Sequence, residues 1–263
     1  MKICLIQNKP IDDKISNLKK LESLIPDEYF DLLMFPECFN SIYGIDYFKK
    51  NAEEIKPNNI TYDFLKKLSL KYKKVFIIAG SYPEKNNNKF YNTCTIWNDG
   101  KLINKYRKIN LFDNNIPNAS FQESKILSPG DTPCIIETSF GKIGIGICFD
   151  IRFNNISNYY SKNNCKIICY PANFTEYTGK LHWELLNRSR AIDSHTFILS
   201  CATAKNDDSK FKSYGNSIVV SPWGQIINNL DNKEGYIIED LDLNQVNEIN
   251  LQLPVDQNKL NYI

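Results

Sequence analysis

A mixed α/β fold, with strands running both parallel and antiparallel, follows from three features of the sequence. Short apolar runs of strand length alternate with amphipathic segments of helical spacing, the pattern of sheets whose strands are joined by helices. Asn98-Asp99-Gly100 interrupts that alternation, because Asp-Gly supplies the positive dihedrals of a tight turn and so places an antiparallel hairpin among the strands. No composition shift or linker divides residues 1–263, so the series reads as one domain large enough to bury a sizeable core.

The elements follow in order. Lys2 to Ile6 is a short apolar strand, and Ile15, Leu18, Leu21 and Ile25 recur at near-helical spacing on a Lys-rich surface helix. Asp31 to Phe35 is an apolar run of strand length, broken by Pro36 and followed by Glu37. Thr61 to Tyr72 reads as a helix through Phe64, Leu65, Leu68 and Tyr72, and Val75 to Ala79 as a buried strand. After a polar loop at Asn86 to Asn88, the hairpin strands are Thr93 to Trp97 and Leu102 to Lys105, the second running into Tyr106-Arg107-Lys108-Ile109. Cys134 to Thr138 pairs with Ile143 to Cys148 across Gly141. In that second strand Ile143, Ile145 and Ile147 alternate with Gly144, Gly146 and Cys148, which predicts a bulky face, a bare face, and open space beside Cys148 where a substrate can approach. Asp150 to Tyr160 is helix-like, Lys166 to Tyr170 a strand, Pro171 to Gly179 a loop, and His182 to Ser194 a helix. Phe197 to Ala202, Ser217 to Ser221 and Tyr236 to Leu241 complete the strands, with Pro222-Trp223-Gly224 as a turn.

Composition narrows the function. The 32 basic and 30 acidic residues are interspersed, which leaves no nucleic-acid or membrane footprint and points to small-molecule partners. The apolar stretch after Met1-Lys2 is too short for a signal peptide or a membrane span, so a cytoplasmic protein is expected. Eight cysteines without a secretion signal or a C-x-x-C pair argue against a disulfide framework and against structural zinc.

Glu37, Lys108 and Cys148 each stand at the end of an expected strand, and together they form a set able to cleave an unreactive amide. A thiol with a free pKa of about 8.5 needs a base at neutral pH, and a carboxylate in a dry pocket can be tuned upward to serve as one. Glu37 fits that role, while Lys108 and the N–H of Phe149 fit the stabilisation of a tetrahedral oxyanion. Taken singly, two of them have a plainer reading, a buried small hydrophobe for Cys148 and a solvated loop residue for Glu37. The rival is a Cys-His enzyme, for which the chain offers only His182 and His195, both in or beside one helix and read here as structural or surface residues.

The segments FPECFN (Phe35 to Asn40), YRKINLFD (Tyr106 to Asp113), FQESKILSPGD (Phe121 to Asp131), GICFDIRF (Gly146 to Phe153), YPANF (Tyr170 to Phe174) and HWELLNRSRAID (His182 to Asp193) resemble, in order, those of the nitrilase superfamily of carbon–nitrogen hydrolases. Within it the chain looks most like the ω-amidase branch, which hydrolyses the terminal amide of α-keto acid amides such as α-ketoglutaramate and α-ketosuccinamate. The resemblance implies a four-layer αββα sandwich, a Glu37-Lys108-Cys148 triad with Glu123 as a second structural or catalytic glutamate, a thioester intermediate, no cofactor or metal, and a homodimer. It also implies a substrate pocket of Tyr43, Phe149, Arg152, Phe174 and Thr178, in which Arg152 grips the substrate carboxylate. Another amidase, an N-carbamoyl amide hydrolase and an inactive interaction scaffold are the alternatives. The chain departs from the branch at Ile42, where Pro is expected, at Asn110, where His is expected, and in a shorter Asn114 to Ser120 loop, changes placed at the pocket rim.

Two further features bear on these expectations. Only four of the 32 basic residues are Arg, namely Arg107, Arg152, Arg188 and Arg190, and all lie in those segments. A planar fork grips carboxylates as Lys cannot. Structural ion pairing is the reading for Arg107, Arg188 and Arg190, whereas Arg152 either clamps the substrate or pairs with Asp150 or a neighbouring glutamate. Trp183 to Leu186 is aromatic and Leu-rich, which suits a dimer-forming helix.

Overall fold

The computed structural model describes residues 1–115, 120–206 and 209–254. Its first half runs β1 (Lys2–Gln7), α1 (Lys14–Ser23), β2 (Leu32–Met34), α2 (Ile45–Asn51), α3 (Ile60–Lys71), β3 (Phe76–Asn86), β4 (Lys89–Asn98) and β5 (Lys101–Arg107). A two-residue ladder, β6 (Asp113–Asn114) with β7 (Phe121–Gln122), leads to the second half. That half contains β8 (Cys134–Thr138), β9 (Gly141–Ile145), α4 (Asn154–Lys162), β10 (Cys165–Ala172), α5 (Glu176–Ser194), β11 (Phe197–Ala202), β12 (Ile218–Val220), β13 (Ile226–Asn229), β14 (Gly235–Asp240) and α6 (Gln245–Gln252).

Two six-stranded sheets result, in the orders β14-β1-β2-β3-β4-β5 and β13-β12-β11-β10-β9-β8. Each has three parallel strands at its centre, β1-β2-β3 and β9-β10-β11, flanked by antiparallel neighbours. Because both faces of each sheet are covered, the central strands are mostly apolar where they are buried, and their period-two alternation distributes side chains between layers. Cys4, Ile6, Leu33 and Ile77 pack outward with Leu18 and Leu21 of α1 and Leu65 and Leu68 of α3. Ile3, Leu5, Leu32, Met34 and Ile78 belong to the main core with the second sheet, on which α4 and α5 lie. These are the four layers that the resemblance implied. Each fully buried Leu or Ile contributes on the order of 2 kcal/mol, so the layering is held mainly by these faces.

Local chemistry accounts for several boundaries. Asp13 caps α1 by accepting the Ser16 N–H at 2.6 Å. Asp99 and Gly100 take φ of 46° and 73°, as the hairpin turn requires. α5 starts at Glu176 rather than near His182, because Thr175 caps it through its hydroxyl and Gly179 is a contact position under the Tyr214 ring rather than a breaker. The helix-like stretch from Asp150 is two pieces, a 3-10 turn over Cys148–Arg152 and then α4. α2, β13 and α6 were not expected, and β3 runs well beyond Ala79.

Candidate active site

Cys148 does not end a strand. β9 stops at Ile145, and Cys148 opens the 3-10 turn with φ of 47°, in the left-handed region that a non-glycine residue enters at a cost of about 1–2 kcal/mol. Asp150 holds that turn: one carboxylate oxygen accepts the Ile147 N–H at 2.9 Å and the Tyr106 hydroxyl at 2.8 Å. Its other oxygen accepts the backbone and side-chain N–H groups of Asn110 at 2.8 and 2.9 Å. Tyr106 and Asn110 flank Lys108, so one buried carboxylate ties the cysteine turn to the lysine segment. The bare face is not open space either. A Cβ on Gly144 would lie 2.4 Å from the Tyr160 ring, and one on Gly146 2.6 Å from the Tyr170 ring, so these glycines admit tyrosines rather than a substrate.

Glu37 follows β2, Lys108 follows β5, and both are fully buried. The Glu37 loop is pinned by close backbone approach at Gly80, whose φ is 36° and where a Cβ would fall 2.0 Å from the Pro36 carbonyl oxygen. Lys108 Nζ donates to Glu37 Oε1 at 2.9 Å and lies 3.1 and 3.0 Å from the two oxygens of Glu123. Asn92 Nδ2 donates to Glu37 Oε1 at 2.8 Å, and Thr203 donates its hydroxyl to the Glu37 carbonyl at 2.9 Å. Glu123 in turn accepts the Tyr43 hydroxyl at 2.8 Å and the Phe112 N–H at 2.6 Å. Glu37 Oε2 is buried without a hydrogen-bond partner, and the Glu37 carboxyl and the Cys148 thiol act on each other electrostatically.

The electrostatics follow from burial. Desolvation pushes the Glu37 carboxyl up, with the Lys108 ammonium pulling against it. Burial also draws on Lys108, but Glu123 and Glu37 outweigh it and hold the ammonium well above its usual range. The Cys148 thiol is raised by burial and then by Glu37, so its proton stays on sulfur in the resting cleft.

Phe112, Phe149, Arg152, Phe174 and Thr178 line the cleft over Cys148, together with Asn173 and Thr175. Tyr43 lies outside it: its hydroxyl serves Glu123 while its ring meets Phe121 and Phe211 at an adjoining cavity. Arg152 does not pair with Asp150, whose oxygens are taken by the donors above. Its guanidinium sits 5.6 and 5.3 Å from the Phe149 and Phe174 ring centres and has no carboxylate partner among the described residues. Arg107 grips Glu84 with two 2.7 Å bonds, Arg188 pairs with Glu184 and Arg190 with Asp193, the structural pairing expected of them. His195 closes α5 with φ of 52° and meets Asn250 at 2.9 Å. His182, read as structural or surface, instead places Nδ1 3.1 Å from Arg152 Nη2.

Asn110 is therefore not a rim residue but a brace for Asp150, whereas Ile42 borders a small cleft beside Tyr43 and Phe211. Residues 116–119 of the shortened loop lie outside the described residues. The site roles of Asn92, Asp150, Thr203 and His182 depend on contacts 30 to 166 residues away in sequence, and Asn173, on the cleft wall, is one more asparagine in an Asn-rich chain.

The carbon-nitrogen hydrolase family model matches residues 2–250. The chain is 38% identical to omega-amidase NIT2 of Mus musculus and to that of Homo sapiens, in each case over 98% of this chain and 94% of the relative. Among solved structures it superposes on Saccharomyces cerevisiae Nit3, described as a member of branch 10 of the nitrilase superfamily, with a TM-score of 0.88 at 35% identity, covering 98% of this chain and 96% of that one.

Proposed function

This chain belongs to the carbon–nitrogen hydrolase family, and on that premise we propose that it is an ω-amidase, releasing ammonia from the terminal amide of small α-keto acid amides such as α-ketoglutaramate or α-ketosuccinamate. The observation that carries the substrate class is Arg152, a guanidinium on the wall of the Cys148 cleft with no carboxylate partner among the described residues. A substrate bearing a carboxylate opposite its scissile amide supplies the missing anion and is oriented by it.

The chemistry uses the buried cluster. Glu37, strengthened as a base by burial, takes the thiol proton through its unpartnered oxygen as sulfur attacks the amide carbon. Lys108 spends two of its three donors on Glu37 and Glu123, which leaves one for the oxyanion beside the Phe149 N–H. Glu37 passes the proton to the leaving nitrogen, ammonia departs, and the acyl group remains on sulfur as a thioester. Water then gives its proton to Glu37, attacks the thioester carbon, and releases the acid while the proton returns to sulfur. Glu123 keeps Lys108 cationic and aimed.

A panel of amides tests the reading: α-ketoglutaramate, a neutral amide of matched length, and an N-carbamoyl amino acid. Preference for the first supports it, and preference for the last favours a carbamoyl hydrolase. An inert scaffold would show no rapid, selective modification of Cys148 by a thiol-directed amide analogue.

The assembly proposed is a homodimer. Trp183 is not available to it, being buried against Phe174 with its indole N–H on the Asn216 carbonyl. Support comes from the opposite side of α5, where Tyr177, Leu181 and Leu185 stand at i, i+4 and i+8 and are 62%, 57% and 67% exposed. Light scattering that finds only monomer at micromolar concentration refutes it.

A further inference from the structure

We propose that His182 is a positioning residue for substrate selection: its neutral imidazole accepts a hydrogen bond from Arg152 Nη2 and so sets the edge of the guanidinium that meets the substrate carboxylate. The inference rests on the reading of Arg152 as the carboxylate clamp. Nδ1 of His182 lies 3.1 Å from Nη2, and Arg152 itself can only donate, so Nδ1 is the acceptor and the ring proton sits on Nε2.

What remains on the guanidinium is a usable fork. Nε is buried without a partner, and Nη2 keeps a second hydrogen after serving His182. The two stand on one edge, the geometry that a carboxylate takes with two parallel bonds. The Phe149 and Phe174 rings neighbour the guanidinium but do not set its rotation, since a ring face offers no directional acceptor. His182 supplies that missing restraint. It stands one turn beyond Thr178 of the cleft, on the same face of α5, and is half-buried.

The imidazole also carries a pH sense. Burial and the neighbouring Arg152 hold His182 below its ordinary 6.5, which preserves the neutral acceptor at neutral pH. Arg152, from the 3-10 turn, is the charged group acting on it; α4, β11 and β12, also packed on α5, bring none, and its helix neighbours Thr178 and Leu186 are uncharged. Protonation turns Nδ1 into a donor facing a donor.

The test is steady-state kinetics of the full chain on α-ketoglutaramate and on a neutral amide of matched length, for the native chain, His182→Leu, His182→Asn and Arg152→Leu. His182→Leu should raise KM for the charged amide about tenfold more than for the neutral one, with the difference in KM rather than kcat. His182→Asn, whose Oδ1 falls near the position of Nδ1, should bring that ratio back to within about threefold of native. The native charged-over-neutral ratio should fall as pH drops below the histidine range, and in His182→Asn that fall should vanish. Equal losses on both amides, or identical behaviour of the Leu and Asn variants, overturn the inference. If Arg152→Leu abolishes the charged preference while His182→Leu leaves it, the inference about His182 alone fails; if Arg152→Leu also leaves it, the clamp itself is wrong.

Discussion

Lys108 and Arg152, two cations near Cys148, sit in contrasting surroundings. Lys108 is fully buried between two carboxylates, which are themselves held by Asn92, Tyr43 and the Phe112 N–H. Arg152 has two aromatic rings, one imidazole, and a buried Nε with no partner. A buried charge survives only when its neighbours answer it, so the Lys108 network cannot change one member without cost. An unanswered cation waits for an anion from outside. In this account the over-connected region performs chemistry common to amide substrates, and the under-connected region chooses among them.

The contrast can be broken most forcefully at the nucleophile. Cys148→Ala should reduce ammonia release from α-ketoglutaramate by on the order of 10⁴-fold or more in a sample whose circular dichroism is native, and retained turnover would remove the cysteine mechanism. Glu37→Gln preserves shape but not basicity, and should cost roughly 10³-fold in kcat on charged and neutral amides alike.

Stability separates the two cations next. Lys108→Met leaves Glu37 and Glu123 buried without their counter-ion and should destabilise the fold by about 3–5 kcal/mol in urea titrations at neutral pH. Arg152→Leu removes no ion pair and should stay within about 1 kcal/mol of native. Similar losses for both would mean that Arg152 is part of the scaffold.

A finer effect concerns pH. Glu37 must be ionised to act as the base, and burial raises its carboxyl, so kcat/KM should fall on the acid side starting above the range of an exposed glutamate. Asn92 stabilises the ionised form through its 2.8 Å bond, and Asn92→Leu should therefore move that acid limb upward. A limb that does not move would separate Glu37 from the base.

How much of this was legible follows from the reach of each signal. β1, β2 and the β4–β5 hairpin are written in runs of a few residues, and Glu37 and Lys108 stand where such runs stop. The path after Cys148 was misread because the alternation of isoleucine and glycine reports strand pairing but not the tyrosines that fill the glycine face, which come from α4 and β10. Asp150 escaped as a brace because its partners Tyr106 and Asn110 lie 44 and 40 residues back, and Thr203 because its bond to Glu37 spans 166 residues. Gly179 masked the first turn of α5, since a glycine chosen for contact looks the same in sequence as one chosen to end a helix.

The most direct test of the division between fixed chemistry and selection is the ratio of kcat/KM for α-ketoglutaramate over a neutral amide of matched length, compared between the native chain and Arg152→Lys. The substitution keeps the charge and loses the fork, so the account predicts a fall of about 2 kcal/mol in that ratio, roughly thirtyfold, while slow turnover of the neutral amide persists. An equal loss on both amides would contradict it, placing Arg152 with the scaffold and the substrate carboxylate elsewhere.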